Sequence, residues 1–253
     1  MRIEVVIPTF NEAENLPKLV STLFSLPLDL GVLIVDDNST DGTGLIADTL
    51  TAEYSGRMSV MHRPGKLGLS SAYLQAFHFL LEKKVDAIGQ MDADFSHDPT
   101  TLVQMAKRLE QCDLVLGSRY IKGGRTDVAW PVWRKALSAW GNFYARSILR
   151  MPVRDVTGGF RLWRCETLKA MPLEQVKSSG YIFMVEMAYL AYCLQYRICE
   201  VPIYFTERRF GKSKMSFGIQ VEAAMRVWQV LWTYRNLLAE GKSARIQTFK
   251  PRP

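Results

Sequence analysis

The chain has 253 residues, with 32 Lys and Arg against 25 Asp and Glu for a formal charge of +7, and is 48% hydrophobic and 23% charged. That composition excludes a chain disordered throughout, and the length suits one large α/β domain or a domain with a helical appendage. The basic balance favours anionic partners such as phosphorylated metabolites, nucleic acid or a membrane surface, and is equally compatible with a solubilising surface. Cys112, Cys165, Cys193 and Cys199 share no C-x-x-C spacing, which predicts free thiols in a reducing compartment. The N-terminus opens directly into a strand pattern without a signal-peptide layout. No run approaches the roughly 18 uncharged apolar residues of a membrane span, so the expectation is a protein that is soluble or lies on a membrane.

In chain order, short apolar runs predict strands at Ile3–Ile7, Val32–Val35, Met58–Met61, Ala87–Met91 and Leu114–Leu116. Amphipathic stretches between them predict helices at Asn15–Phe24, Thr43–Tyr54, Ser70–Lys83 and Pro99–Glu110, the last capped by Asp98 with Pro99 in its first turn. This alternation is that of a parallel α/β sheet, and the near-continuous apolar strands suit burial on both faces. Further on, a helix is expected over Val132–Leu149, an extended segment over Asp155–Trp163 and a helix over Phe183–Gln195. A strand over Ile198–Phe205 and a long helix over Phe217–Ala239 follow. The tail after Glu240 carries four basic residues and no acidic one, and is expected to be disordered.

The fourth strand runs straight into Asp92-Ala93-Asp94. Ligands of open parallel sheets bind beyond the carboxyl ends of the strands. Two carboxylates there make a hard-oxygen site suited to Mg²⁺ or Mn²⁺ with phosphate oxygens completing the shell. Asp36-Asp37 follow the second strand, where they read either as a turn and helix cap or as acceptors for a nucleotide's base or ribose. Pro8-Thr9-Phe10-Asn11-Glu12 closes the first strand, so three strand ends present polar residues to one rim.

The segments Ile7–Glu12, Val35–Ser39, Met91–His97, Gly117–Tyr120, Asp155–Arg161, Glu200–Ile203 and Arg208–Lys214 occur in an order that resembles family 2 glycosyltransferases. More narrowly, the chain is similar to the dolichol-phosphate (polyprenol-phosphate) mannose synthases. The resemblance implies the GT-A fold, a Rossmann-like, mostly parallel sheet flanked by helices, with C-terminal interfacial helices. It implies a catalytic domain over residues 1–240, with a nucleotide-sugar half at 1–120, an acceptor half at 121–240 and a basic tail at 241–253. It also implies donor contacts at Pro8, Phe10, Glu12, Val35 and Asp37, and metal and diphosphate contacts at Asp92, Ala93 and Asp94. Arg119, Arg208 and Lys214 would bind phosphates, and Arg134 with Ser138 would hold a lipid phosphate. Ser96 stands where some relatives carry a glutamine that reaches the metal, and its shorter hydroxyl would ligate through water. Inversion at the anomeric carbon is part of the same implication. The implied reaction moves mannose from GDP-mannose to polyprenol (dolichol) phosphate at the cytoplasmic face of a membrane. Other nucleotide sugars, such as UDP-glucose, or a non-lipid acceptor are the alternatives.

The cations fit that chemistry, because a departing diphosphate gathers negative charge that a metal and Arg or Lys groups stabilise. Arg208–Lys214, with glycines nearby, reads as a loop able to fold over bound donor. A sugar hydroxyl acceptor needs a general base, whereas a phosphate monoester with a second pKa of about 6 is already ionised. Asp155 is the reserve base, with a turn or capping role as its competing reading, and His62, His78 and His97 read as packing or solvent-facing. Trp130, Trp133, Trp140, Phe143 and Tyr144 lie among Arg134, Lys135, Arg146 and Arg150, a pattern suited to a bilayer interface. The apolar face of the last helix, with Trp228, Leu231 and Trp232, reads as core or as interface. A dinucleotide-dependent oxidoreductase is disfavoured because the first strand end lacks glycine. A haloacid-type phosphatase would carry its acidic pair after strand one, and carboxylates on the rim argue against nucleic acid.

Overall fold

The computed structural model describes residues 1–207 and 223–237. Arg208, Lys214 and the loop expected between them, the two ends of the helix expected over Phe217–Ala239 and the tail after Glu240 lie outside the described residues. A seven-stranded sheet is built from β1 (Arg2–Thr9), β2 (Asp29–Asp36), β3 (Met58–His62), β4 (Ala87–Gln90), β5 (Leu114–Ser118), β7 (Arg161–Arg164) and β8 (Ile198–Pro202). Its order is β3-β2-β1-β4-β7-β5-β8. Every neighbouring pair is parallel except those of β7, which runs antiparallel between β4 and β5. The sheet is the mostly parallel α/β sheet expected, and strands from the second half of the chain complete it.

Alternation along each strand explains why both faces are covered. Val5 and Ile7 of β1, with Val32 and Ile34 of β2, enter one core with α1 (Leu16–Phe24), α2 (Thr43–Glu53) and α4 (Thr101–Leu109). Val6, Leu33 and Val35 enter the other, with α3 (Leu69–Leu81), α5 (Val132–Ile148), α6 (Cys165–Ala170) and α7 (Gly180–Cys193). Successive side chains point to opposite faces, so a strand sandwiched by helices must be apolar at every position. Asp98 accepts from both the N–H and the hydroxyl of Thr100, at 2.9 and 2.8 Å, and so marks the turn that opens α4.

Three expectations are corrected. The segment before β7 is irregular, and the strand itself covers only Arg161–Arg164. The single strand expected over Ile198–Phe205 divides at Ile203, because β9 (Tyr204–Phe205) leaves the main sheet and pairs with β6 (Arg125–Thr126). Cys112 and Cys199, expected as free thiols, form a disulfide with Cα atoms 6.1 Å apart. Pairing of β5 with β8 brings together residues that lie 87 positions apart, which spacing along the chain does not reveal. Cys165 and Cys193 are free and buried.

The C-terminal helix α8 is described over 223–237. It buries Val227, Val230 and Tyr234 while leaving Met225, Trp228 and Trp232 exposed, so its apolar surface is part core and part solvent-facing. Trp133, Trp140 and Phe143 of α5 are likewise exposed. The two helices meet where the Trp228 indole donates to the Tyr144 hydroxyl at 3.1 Å. Among the described residues, no helix is long and apolar enough to cross a membrane.

Candidate active site

The carboxyl ends of β1–β5 share one rim, and the antiparallel β7 brings its amino end, Gly158-Gly159-Phe160, to the same side. Beyond β4 the chain reverses tightly. Phe95 adopts φ 58°, a strained conformation for a bulky residue, and Asp94 Oδ1 accepts the N–H of Ser96 at 3.0 Å. Asp94 and Ala93 are buried, and Asp92 is half-buried. The Asp92 N–H donates to His97 Nδ1 at 3.4 Å. His97 is buried, stacked on Phe160 and met edge-on by Phe205, and burial pushes its pKa down so that it is neutral at pH 7. It packs, as expected. His62 pairs with Asp48 at the surface, and His78 is exposed.

Among the described residues, no group of three or more His, Cys, Asp and Glu side chains encloses a metal. The residues of the Asp92–Ser96 turn nevertheless fit a divalent ion shared with a ligand. Asp92 and Asp94 offer hard oxygens, and the buried Ser96 Oγ has no hydrogen-bond partner. The absence of a side chain at Gly159 leaves open the space 3.7 Å from both Asp92 carboxylate oxygens. Two carboxylates with room for further oxygens suit Mg²⁺ or Mn²⁺, which commonly complete their shells with water and phosphate.

The second acidic pair divides its work. Asp36 accepts from Thr9 Oγ1 at 2.8 Å and from the N–H and hydroxyl of Ser39 at 3.0 and 2.6 Å, so it shapes the turn. Asp37, also buried, is held by the Arg63 guanidinium and by the Gly68 N–H. Arg63 was not anticipated, although it directly follows β3 and so stands at a strand end like the other rim residues. Lys66 is a second addition, its ammonium 3.8 Å from the centre of the Phe10 ring. Pro8 and Glu12 are half-buried on this rim, and Glu12 accepts from Asn15 at 2.8 Å. The Val35 side chain is fully buried in the core, so only its backbone can face a ligand.

Arg119 leaves the end of β5. Its Nε and Nη2 donate to the two oxygens of Asp155 at 2.8 Å each, and Nη2 also donates to Thr157 at 2.7 Å. Burial favours the neutral form of Asp155, but the adjacent guanidinium outweighs it and holds the carboxyl below the usual aspartate range. Asp155 is itself fixed by neighbours. Its N–H and that of Arg154 donate to Glu200 at 2.9 and 2.8 Å, and the Val156 N–H donates to Asn142 of α5 at 2.9 Å. Asp155 is therefore a counter-ion that positions Arg119, and it also keeps the turn role expected of it, because its Oδ1 accepts from the Thr157 N–H and hydroxyl at 3.3 Å each. Arg119 Nη1 has no hydrogen-bond partner among the described residues.

Arg134 and Ser138 sit one turn apart on α5. The Ser138 and Tyr120 hydroxyls are 2.8 Å apart, which ties α5 to the residue after Arg119. Arg134 Nη1 lies 2.7 Å from both carboxylate oxygens of Glu207.

A family profile described as Glycosyl transferase family 2 matches residues 4–171. An undecaprenyl-phosphate mannosyltransferase from Micrococcus luteus is 44% identical over 227 residues, covering 90% of this chain and 93% of that protein. A polyprenol monophosphomannose synthase from Mycolicibacterium smegmatis is 41% identical over 242 residues, covering 95% of this chain and 90% of that protein. A glucosyl-3-phosphoglycerate synthase from Mycobacterium tuberculosis, solved with Mn²⁺, UDP and glucosyl-3-phosphoglycerate, superposes with a TM-score of 0.64 at 15% identity. That match covers 92% of this chain and 79% of the other, and at such low identity it speaks to the fold. With the mostly parallel sheet, the acidic turn after β4 and these likenesses together, the chain belongs to glycosyl transferase family 2 and is a glycosyltransferase of the GT-A fold.

Proposed function

We propose that the enzyme transfers mannose from GDP-mannose to a polyprenyl (dolichyl) phosphate, with inversion, at the cytoplasmic face of a membrane. The substrate class rests on the likeness to two mannosyltransferases over nearly their whole lengths. The observation that carries the chemistry is the engagement of Asp155 by Arg119. With that carboxylate held as a counter-ion, the acceptor best suited to the site arrives already ionised, as a phosphate monoester does.

In this reading the first half of the chain, 1–120, holds the donor. Asp37, oriented by Arg63, accepts from the nucleoside, and Pro8, Phe10, Glu12 and the Val35 backbone line its bed. Asp92 and Asp94, with Ser96 through water, would hold Mg²⁺ or Mn²⁺, which supplies positive charge to the leaving diphosphate. Arg119 adds charge through Nη1 while Asp155 fixes its plane. Arg208 and Lys214 belong to the same donor-side expectation. In the second half, 121–240, Arg134 and Ser138 receive the lipid phosphate. A phosphate oxygen attacks the anomeric carbon opposite the diphosphate, the bond between that carbon and the donor oxygen breaks, and its electron pair leaves with GDP. The exposed aromatics of α5 and α8, with the basic tail, rest on the membrane surface.

Labelled GDP-mannose, Mg²⁺ and polyprenyl phosphate should yield a charged mannolipid. A product formed from UDP-glucose in preference would replace the donor, and activity undiminished by chelation would remove the metal. Flotation with anionic liposomes at low salt tests the membrane role.

A further inference from the structure

The short segment after β8 links two parts of the site. Phe205 packs edge-on against His97, the Thr206 N–H and hydroxyl donate to the carbonyls of Ser96 and Phe95 at 3.1 and 2.6 Å, and Glu207 follows at once. The Glu207 N–H donates to Asp127 Oδ2 at 2.8 Å, so the backbone fixes where its carboxylate stands. That carboxylate lies 2.7 Å from Arg134 Nη1 through each of its oxygens, while the guanidinium stacks 3.9 Å from the centre of the Trp130 ring. The pair is partly open, with side-chain exposures of 25% for Arg134 and 41% for Glu207. Pairs of that exposure are weakly held in water.

We infer that Glu207 sets the affinity threshold of the acceptor site by charge, occupying Arg134 until a phosphate monoester dianion displaces it. This rests on the proposal that Arg134 receives the acceptor. The physical argument is a competition for one cation. An uncharged alcohol gains little by replacing a carboxylate, and a phosphodiester brings only the single charge that Glu207 already supplies. A monoester dianion brings two charges and three oxygens that can accept from the guanidinium. Because Thr206 and Asp127 anchor the adjoining backbone, Glu207 stays close enough to return when product leaves. Glu207 is a positioning residue, and it takes no part in bond making.

Calorimetric titration without donor separates this idea from the identity of the sugar. The probes are farnesyl phosphate and its methyl phosphodiester, and the proteins are wild type, Glu207→Gln, Glu207→Asp, Arg134→Ala and the double variant Arg134→Ala/Glu207→Gln. Glu207→Gln should bind the monoester about twofold to fivefold more tightly. The diester should gain by a similar factor, because every ligand of Arg134 meets the same cost of freeing it, and Glu207→Asp should bind both as wild type does. In the Arg134→Ala background, Glu207→Gln should change nothing, which is the coupling expected of a direct pair. Unchanged or weaker monoester binding by Glu207→Gln would overturn the inference, as would a gain that survives loss of Arg134 or a failure of both wild type and Glu207→Gln to bind. If the titrations behave as expected but no mannolipid forms from GDP-mannose, the donor assignment fails and the charge competition stands.

Discussion

Arg119 and Asp155 face each other through two parallel hydrogen bonds of 2.8 Å, Nε to Oδ2 and Nη2 to Oδ1. Both side chains are nearly inaccessible, at 8% and 0% exposure. A planar fork of this kind fixes the guanidinium in orientation as well as position. It also engages both oxygens of the carboxylate considered for a base role, in keeping with the proposed acceptor, which arrives already ionised.

Asp155→Asn leaves a buried guanidinium without its counter-ion. Removing one partner of a buried pair costs about 3–5 kcal/mol, a fall in Tm of roughly 10 °C for a chain of this size. The same pair gives a pH dependence with a defined sign. The folded carboxyl titrates below its ordinary value, so its contribution is complete above pH about 4, the unfolded aspartate range. It is lost as the pH falls from there through the folded value. Calorimetry in acid should show a shallower slope for Asp155→Asn, and an unchanged slope would show that the pair does not govern it.

Asp94→Asn keeps the shape of a side chain that accepts from the Ser96 N–H while removing its charge. Transfer should fall about a hundredfold or more, as when a preorganised electrostatic group is lost, with Tm within a few degrees of wild type. Titration of Mg²⁺ or Mn²⁺ into the variant should show weakened metal dependence. Retained activity with retained metal response would place the ion elsewhere.

Gly159→Ala tests the open space beside Asp92. The added methyl would sit at an ordinary contact distance, 3.7 Å from both Asp92 oxygens and from His97 Cε1, so the fold accepts it. It would fill room that a ligand of Asp92 needs. Severalfold or greater loss of activity with little change in Tm is expected, and full activity would show that the metal and diphosphate approach from another side.

Reduction should destabilise the enzyme. The Cys112–Cys199 bridge closes a separation of 87 residues, and disulfides closing loops of that size typically contribute about 2–4 kcal/mol. Dithiothreitol should lower the wild-type Tm and leave a Cys112→Ser/Cys199→Ser double variant unmoved. Intact-mass measurement in the absence of reductant should show wild type two hydrogens lighter than after reduction.

The sequence by itself determined the βα rhythm, the strands buried on both faces and the strand ends at which Asp37, Asp92, Asp94 and Arg119 stand. Those features are local: apolar period, turn residues and capping at Asp98 follow from neighbours a few positions away. Tertiary structure alone decided the antiparallel insertion of β7, which turns Gly159 toward Asp92, and the pairing of β5 with β8, which joins Cys112 to Cys199. It likewise decided the partners of the charged groups: Arg63 for Asp37, Asp155 for Arg119 and Glu207 for Arg134. Each of these pairs joins residues at least 26 positions apart. A charge can be read from the chain, but the counter-ion that fixes its role depends on which strand ends and loops the folded sheet brings side by side.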